Sequence, residues 1–209
     1  MDRIRVYTGG IASCNGYLMK TGENSYVAID APEGFAQWIL ARKPDIKITD
    51  LLITHQHFDH VEDAAEMKRL FGCKIHAGSA YNEDLTLIKL AHNSWGVPIN
   101  LKAFEVDEVL GDDIHTANWG GLLWHIHHVP GHSPDSIVYN LPDEELMFTG
   151  DVLFAGSIGR TDLPGGNSRL LNHELQTKVL TQPATTRILP GHGPYSTIKS
   201  ELLTNPFIS

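Results

Sequence analysis

Apolar and polar residues alternate or cluster along the chain in short runs. Arg3–Tyr7, Gly16–Lys20 and Tyr26–Asp30 read as three strands, with Thr21-Gly22-Glu23-Asn24 as the turn before the third. Glu33–Lys43 places Phe35, Trp38 and Ile39 at helical spacing and is stopped by Pro44. Leu51-Leu52-Ile53 is a continuous apolar run expected as a buried strand. Val61–Phe71 is expected as a helix closed by Gly72, and Cys73–His76 as the strand that completes a βαβ unit. Further on, the pattern predicts a helix over 79–92 and strands over Ala103–Leu110 and Leu122–Val129. A hairpin follows from Ser136–Leu141 and Leu146–Thr149 across Pro142-Asp143-Glu144. A helix over Ser168–Leu180 carries Leu171, Leu175 and Val179 on one stripe, and Thr186–Leu189 is a last short strand. Many strands with interspersed helices indicate an α/β or α+β protein with more than one sheet.

Composition narrows the class. The 209 residues fit one ordinary or one large domain, so 1–209 is expected as a single unit. With 42% hydrophobic and 20% charged residues, disordered, collagen-like and membrane-spanning classes are excluded. A net charge of -9 and the lack of a Lys/Arg run argue against nucleic acid as a partner. Cys14 and Cys73 lie in apolar stretches without CxxC spacing, which points away from a disulfide framework and toward a reducing, cytoplasmic setting. The first residues lack the apolar region of a secretory signal.

Twelve histidines against two cysteines make any metal site imidazole-rich. Four predicted strands end alike, in Leu51-Leu52-Ile53-Thr54-His55, Val129-Pro130-Gly131-His132, Phe148-Thr149-Gly150-Asp151 and Ile188-Leu189-Pro190-Gly191-His192. Each delivers a metal-competent side chain to a loop beyond a strand end, where ligands of layered α/β folds bind. The first loop, His55-Gln56-His57-Phe58-Asp59-His60, puts His55 and His57 on one side of extended chain and Asp59 and His60 where the chain turns into a helix. One loop can thus feed two cations. A lone His-x-His is more often structural than liganding; here three further strand-end ligands accompany it, and convergence of the four loops is the expectation. His125, His127 and His128, on one strand, are read as structural or surface residues.

The HxHxDH motif at 55–60, Pro130-Gly131-His132-Ser133-Pro134, Thr149-Gly150-Asp151 and Pro190-Gly191-His192-Gly193-Pro194 together resemble the signature of the metallo-β-lactamase superfamily, over nearly the whole chain. The resemblance implies a four-layer αββα sandwich with metals at one edge between the sheets. Within it, Gly150–Asp162 and the ending Asn205-Pro206-Phe207-Ile208 look like short glyoxalase II-like (hydroxyacylglutathione hydrolase-like) enzymes. The ligand set so implied is His55, His57 and His132 on a first cation, Asp59, His60 and His192 on a second, and Asp151 bridging. Zinc is the first choice of metal, with iron or manganese as alternatives.

The activity implied is metal-dependent hydrolysis of a small-molecule thioester such as S-lactoylglutathione, with Asp59 orienting the attacking water or taking its proton. Zinc β-lactamases commonly carry Cys or Ser at the position of Asp151, which points away from antibiotic hydrolysis. Only 17 residues follow His192, so the helical glutathione-binding domain of full-length glyoxalase II enzymes is expected to be absent. Arg160 is the candidate for a substrate carboxylate, with a loop-stabilising pair to Asp162 as its other reading. Relatives often have glycine where Asp135 stands, and an acid so close to His132 is expected to disfavour an anionic substrate. Three other readings use the same residues: a mononuclear iron persulfide dioxygenase on His55, His132 and Asp151, a lactone hydrolase, and a metal-stabilised interaction module without activity.

Overall fold

The computed structural model describes residues 3–208. Two six-stranded mixed sheets face each other. The first contains β1 (Ile4–Gly9), β2 (Cys14–Lys20), β3 (Ser25–Ile29), β4 (Lys47–Leu52), β5 (Lys74–Ala77) and β6 (Glu108–Val109), in that spatial order. Its first three strands form an antiparallel meander, and β3 to β6 run parallel. The second sheet contains β7 (Thr116–Trp119), β8 (Leu122–His128), β9 (Ile137–Leu141), β10 (Leu146–Gly150), β13 (Arg187–Pro190) and β14 (Ser196–Thr197). A small hairpin, β11 (Leu153–Phe154) and β12 (Ser157–Ile158), lies between β10 and β13 in sequence.

The period-2 alternation of strand side chains sorts these sheets into layers. Tyr17, Met19, Val27 and Ile29 point between the sheets, where they meet Trp124, Ile137, Tyr139, Leu146 and Phe148. Leu18, Tyr26 and Ala28 point the other way and are covered by α1 (Phe35–Arg42) and α3 (Ala64–Phe71) through Phe35, Ile39 and Met67. On the far side, Val138, Met147 and Ile188 are covered by α5 (Ser168–Glu174), its π-helical continuation Leu175–Val179, and α6 (Ile198–Thr204). The order is helix, sheet, sheet, helix, the αββα sandwich that the motifs implied.

Three expectations are corrected. The helix expected over Val61–Phe71 begins earlier, as α2 (Phe58–Val61), and breaks at Glu62-Asp63, where the Asp63 N–H donates to Ala31 O at 2.9 Å. Only Ile88–Trp95 of the stretch expected to begin a helix at 79 is helical, as α4, because the preceding residues are held elsewhere. The Gln56 amide donates to Ser79 Oγ (2.8 Å) and Ala80 O (3.1 Å) and accepts from Asn82 N (2.9 Å). Of Ala103–Leu110, only β6 is a strand, and next to it Asp107 meets Ile75 through its N–H and its carboxylate. The hairpin of β9 and β10 forms as expected, whereas β7, β14 and α6 were not anticipated.

Candidate metal centre

All four strand-end loops converge at one edge of the sandwich. β4 supplies the loop with His55, His57, Asp59 and His60; the other three loops come from the second sheet. His132 follows β8, Asp151 follows β10 and His192 follows β13. Because β10 and β13 are parallel neighbours with Gly150 opposite Pro190, their next residues emerge side by side, and Gly191 N–H donates to Gly150 O at 2.8 Å. Gly191 is required by this close approach: a Cβ there would overlap Asp151 Oδ1 and lie 2.5 Å from His60 Cε1.

The ligand atoms of His55, His57 and His132 lie within 4.8 Å of one another, and so do those of His55, His60 and Asp151. His132 Nε2 is 2.9 Å from His57 Nδ1. Asp151 stands between the groups, with Oδ1 3.2 Å from His60 Nε2 and Oδ2 3.5 Å from both His132 Nε2 and His192 Nε2. Asp59 Oδ2 is 3.2 Å from His192 Nε2. All seven sequence candidates for metal ligation are therefore brought together, with Asp151 in the central position.

Several of their atoms lack partners. His55 Nε2, His60 Nε2 and Asp151 Oδ1 are buried and make no hydrogen bond. Buried polar atoms in native proteins are rarely left so, and the donor set of imidazole and carboxylate suits borderline divalent cations, so these residues fit bound metal. Protonation agrees. Burial and neighbouring imidazoles hold His55 well below the usual histidine range and bring His57 down to about 3, leaving both neutral and able to donate a lone pair. Burial opposes ionisation of Asp59 and Asp151, but adjacent His60 and His192 outweigh it and keep both carboxylates ionised.

The surrounding hydrogen bonds orient the ligands. Asp30, at the end of β3 with φ 55°, accepts from Thr54 N, Thr54 Oγ1 and His60 Nδ1, each at 2.8 Å, and so directs His60 Nε2 inward. The main-chain carbonyl of Arg160 accepts from His132 Nδ1 at 2.8 Å, with the same effect. Asp135 accepts from Gln56 N–H at 3.1 Å and from the Ser133 hydroxyl. Its carboxylate thus braces the HxHxDH loop and does not line the cleft. The guanidinium of Arg160 makes a two-pronged pair with Asp162, at 2.7 Å on both arms, at the rim of the site. Sequence reasoning missed Asp30 and Gln56, and it read Cys14 as an apolar-core cysteine. Instead the Cys14 thiol lies against Asp59, His60 and His192.

His127 and His128 lie away from this centre, with His115, Glu174 and Lys178 around a separate cavity of about 430 Å³.

The sequence matches the family model of the metallo-β-lactamase superfamily over residues 9–192. The chain belongs to the metallo-β-lactamase superfamily. Within the superfamily, it is 36% identical over 199 residues to hydroxyacylglutathione hydrolase GloC of Haemophilus influenzae, covering 93% of this chain and 92% of that protein. Two solved structures are similar throughout. BLEG-1, described as a B3 metallo-β-lactamase, has a TM-score of 0.89 at 30% identity and covers 99% of both chains. TTHA1623, solved in a di-iron-bound form, has a TM-score of 0.80 at 33% identity and covers 97% of this chain and 99% of its own.

Proposed function

We propose that this chain is a two-cation hydrolase of glyoxalase II type that cleaves a hydroxyacyl thioester such as S-lactoylglutathione. The observation that carries this reading is the placement of Asp151 between two groups of metal-competent side chains at the foot of an open cleft of about 280 Å³. The likeness to GloC supports the thioester. The expected cations are zinc, with iron the alternative that the di-iron relative supports.

His55, His57 and His132 would hold one cation, Asp59, His60 and His192 the other, and Asp151 both. Cations bound there supply a water of pKa lowered toward about 7 and polarisation of the carbonyl. The chain's own residues do the rest. Asp59, ionised and facing the cleft, orients the attacking water and receives its proton. Phe58, Leu87, Trp95 and Leu163 line the cleft and shield the acyl group from bulk water. The thiolate of a thiol with an ordinary pKa of about 8.5 leaves readily, so no strong general acid is required.

The test pairs metal analysis of the purified protein with release of free thiol from S-lactoylglutathione. Two cations per chain with turnover, reduced to background in His57→Ala, is the expected result. Full activity in His57→Ala defeats the reading. One iron per chain with oxygen uptake on glutathione persulfide replaces it with the dioxygenase. The likeness to BLEG-1 makes a β-lactam the second substrate class, followed by ring opening rather than by thiol release.

A further inference from the structure

Cys14 belongs to no strand-end motif, yet it is fully buried beside the centre. Backbone contacts fix it there. Cys14 and His192 form an isolated antiparallel bridge, and Asn15 N–H donates to Gly191 O at 2.7 Å. The Asn15 side-chain amide donates to Pro190 O at 3.1 Å and Gly193 O at 3.0 Å. The start of β2 is thereby stitched to the very loop that carries His192, so the thiol and that imidazole are positioned by one set of bonds.

Cys14 Sγ and the ligand atoms of Asp59, His60 and His192 all lie within 4.8 Å of one another. The thiol's hydrogen bond is a long contact of 3.8 Å to Asn15 O, which leaves its sulfur lone pairs uncommitted. Independently, fully buried His60 spends Nδ1 on Asp30 and turns an unpaired Nε2 into the same space. An unpaired imidazole nitrogen beside a free thiol and two carboxylates is an arrangement that a cation resolves.

We propose that Cys14 is a ligand of the second cation, giving that site one sulfur donor beside the imidazoles of His60 and His192 and the carboxylates of Asp59 and Asp151. The proposal rests on the second cation of the function proposed above, but not on its substrate. On binding, the S–H bond breaks, the proton passes to solvent and a sulfur electron pair is shared with the cation; no oxidant or reductant is involved. The charge of a bound cation favours the thiolate over the thiol. A soft donor biases the second site toward zinc and cobalt and away from manganese.

The test is titration of the metal-free full chain with cobalt(II), followed by absorption. A near-ultraviolet sulfur-to-cobalt charge-transfer band is expected to grow in the wild type. It should be lost in Cys14→Ser, while the visible ligand-field bands and two bound cobalt ions remain. Cys73→Ser should keep the band, since Cys73 packs in the core beneath α3. Two cobalt ions bound by the wild type without the band overturn the proposal, whether or not Cys14→Ser folds, and so does a band that survives in Cys14→Ser. A single cobalt without the band overturns it together with the two-cation reading. The band in a chain that fails to hydrolyse thioesters supports the proposal and defeats the substrate reading alone.

Discussion

Asp30 illustrates how much of the centre depends on residues that do not face the cleft. Its carboxylate takes three hydrogen bonds, from the Thr54 backbone, the Thr54 hydroxyl and His60 Nδ1. It therefore fixes the start of the HxHxDH loop and the orientation of one imidazole together. Asp30→Ala should weaken binding of the second cation roughly 10–100-fold, the usual cost of losing such a partner. It should also destabilise the chain by about 1–3 kcal/mol, because buried donors lose their acceptor. Competition against a chelator and urea unfolding measure the two effects, and wild-type affinity in the variant would mean that Asp30 does not hold His60. The seven expected ligands were legible in the sequence because each sits in a short motif at the end of an apolar run. Asp30, Gln56 and Cys14 were not, because what they touch lies far away in the chain: Asp30 meets His60, Gln56 meets Ser79 and Asn82, and Cys14 meets His192.

Among the elements, those with strong periodicity were readable and those governed by distant partners were not. The stripe of Leu171, Leu175 and Val179 does cover the second sheet. The residues from 79 onward carry enough apolar spacing to look helical, but the buried Gln56 amide captures their polar groups first. Helix α5 also supports the site, since its cap residue Asn167 donates its N–H to Gly131 O, next to His132. The Asn167 side chain accepts from Leu170 N–H at 3.1 Å. Asn167→Ala should cost about 1 kcal/mol, read as a lower urea midpoint at unchanged slope; an unchanged midpoint would deny the cap a role.

Strand β8 predicts a pH effect outside the metal centre. Burial, then the neighbouring charges of His125, Lys178, His115 and His128, lower His127 to about 4. Glu174 and Asp112 complete the ionisable groups around the cavity it lines. The folded state keeps His127 neutral while the unfolded chain, with a pKa of about 6.5, takes up a proton first. The stability contribution is therefore whole above pH 6.5 and lost as the pH falls toward about 4. His127→Gln should flatten the fall in melting temperature across that interval, and an unaltered slope would contradict the assignment.

At the scale of the molecule, the two sheets are joined by the core between them and, at one edge, by the converging loops. His55, His57, Asp59 and His60 come from the first sheet, whereas His132, Asp151 and His192 come from the second. The proposed cation pair at this edge would tie the layers together as well as serve chemistry. Fold class was readable from the mixture of strands and helices, and layer order from the family resemblance that the motifs carry, while the short edge strands β6, β7 and β14 carry too few residues to announce themselves. The most direct measurement is an anomalous-scattering map of crystals of the metal-loaded chain. Two peaks about 3.5–4 Å apart are expected, one among His55, His57 and His132, the other among Asp59, His60 and His192, with Asp151 between. A single peak, or peaks away from these side chains, would contradict it.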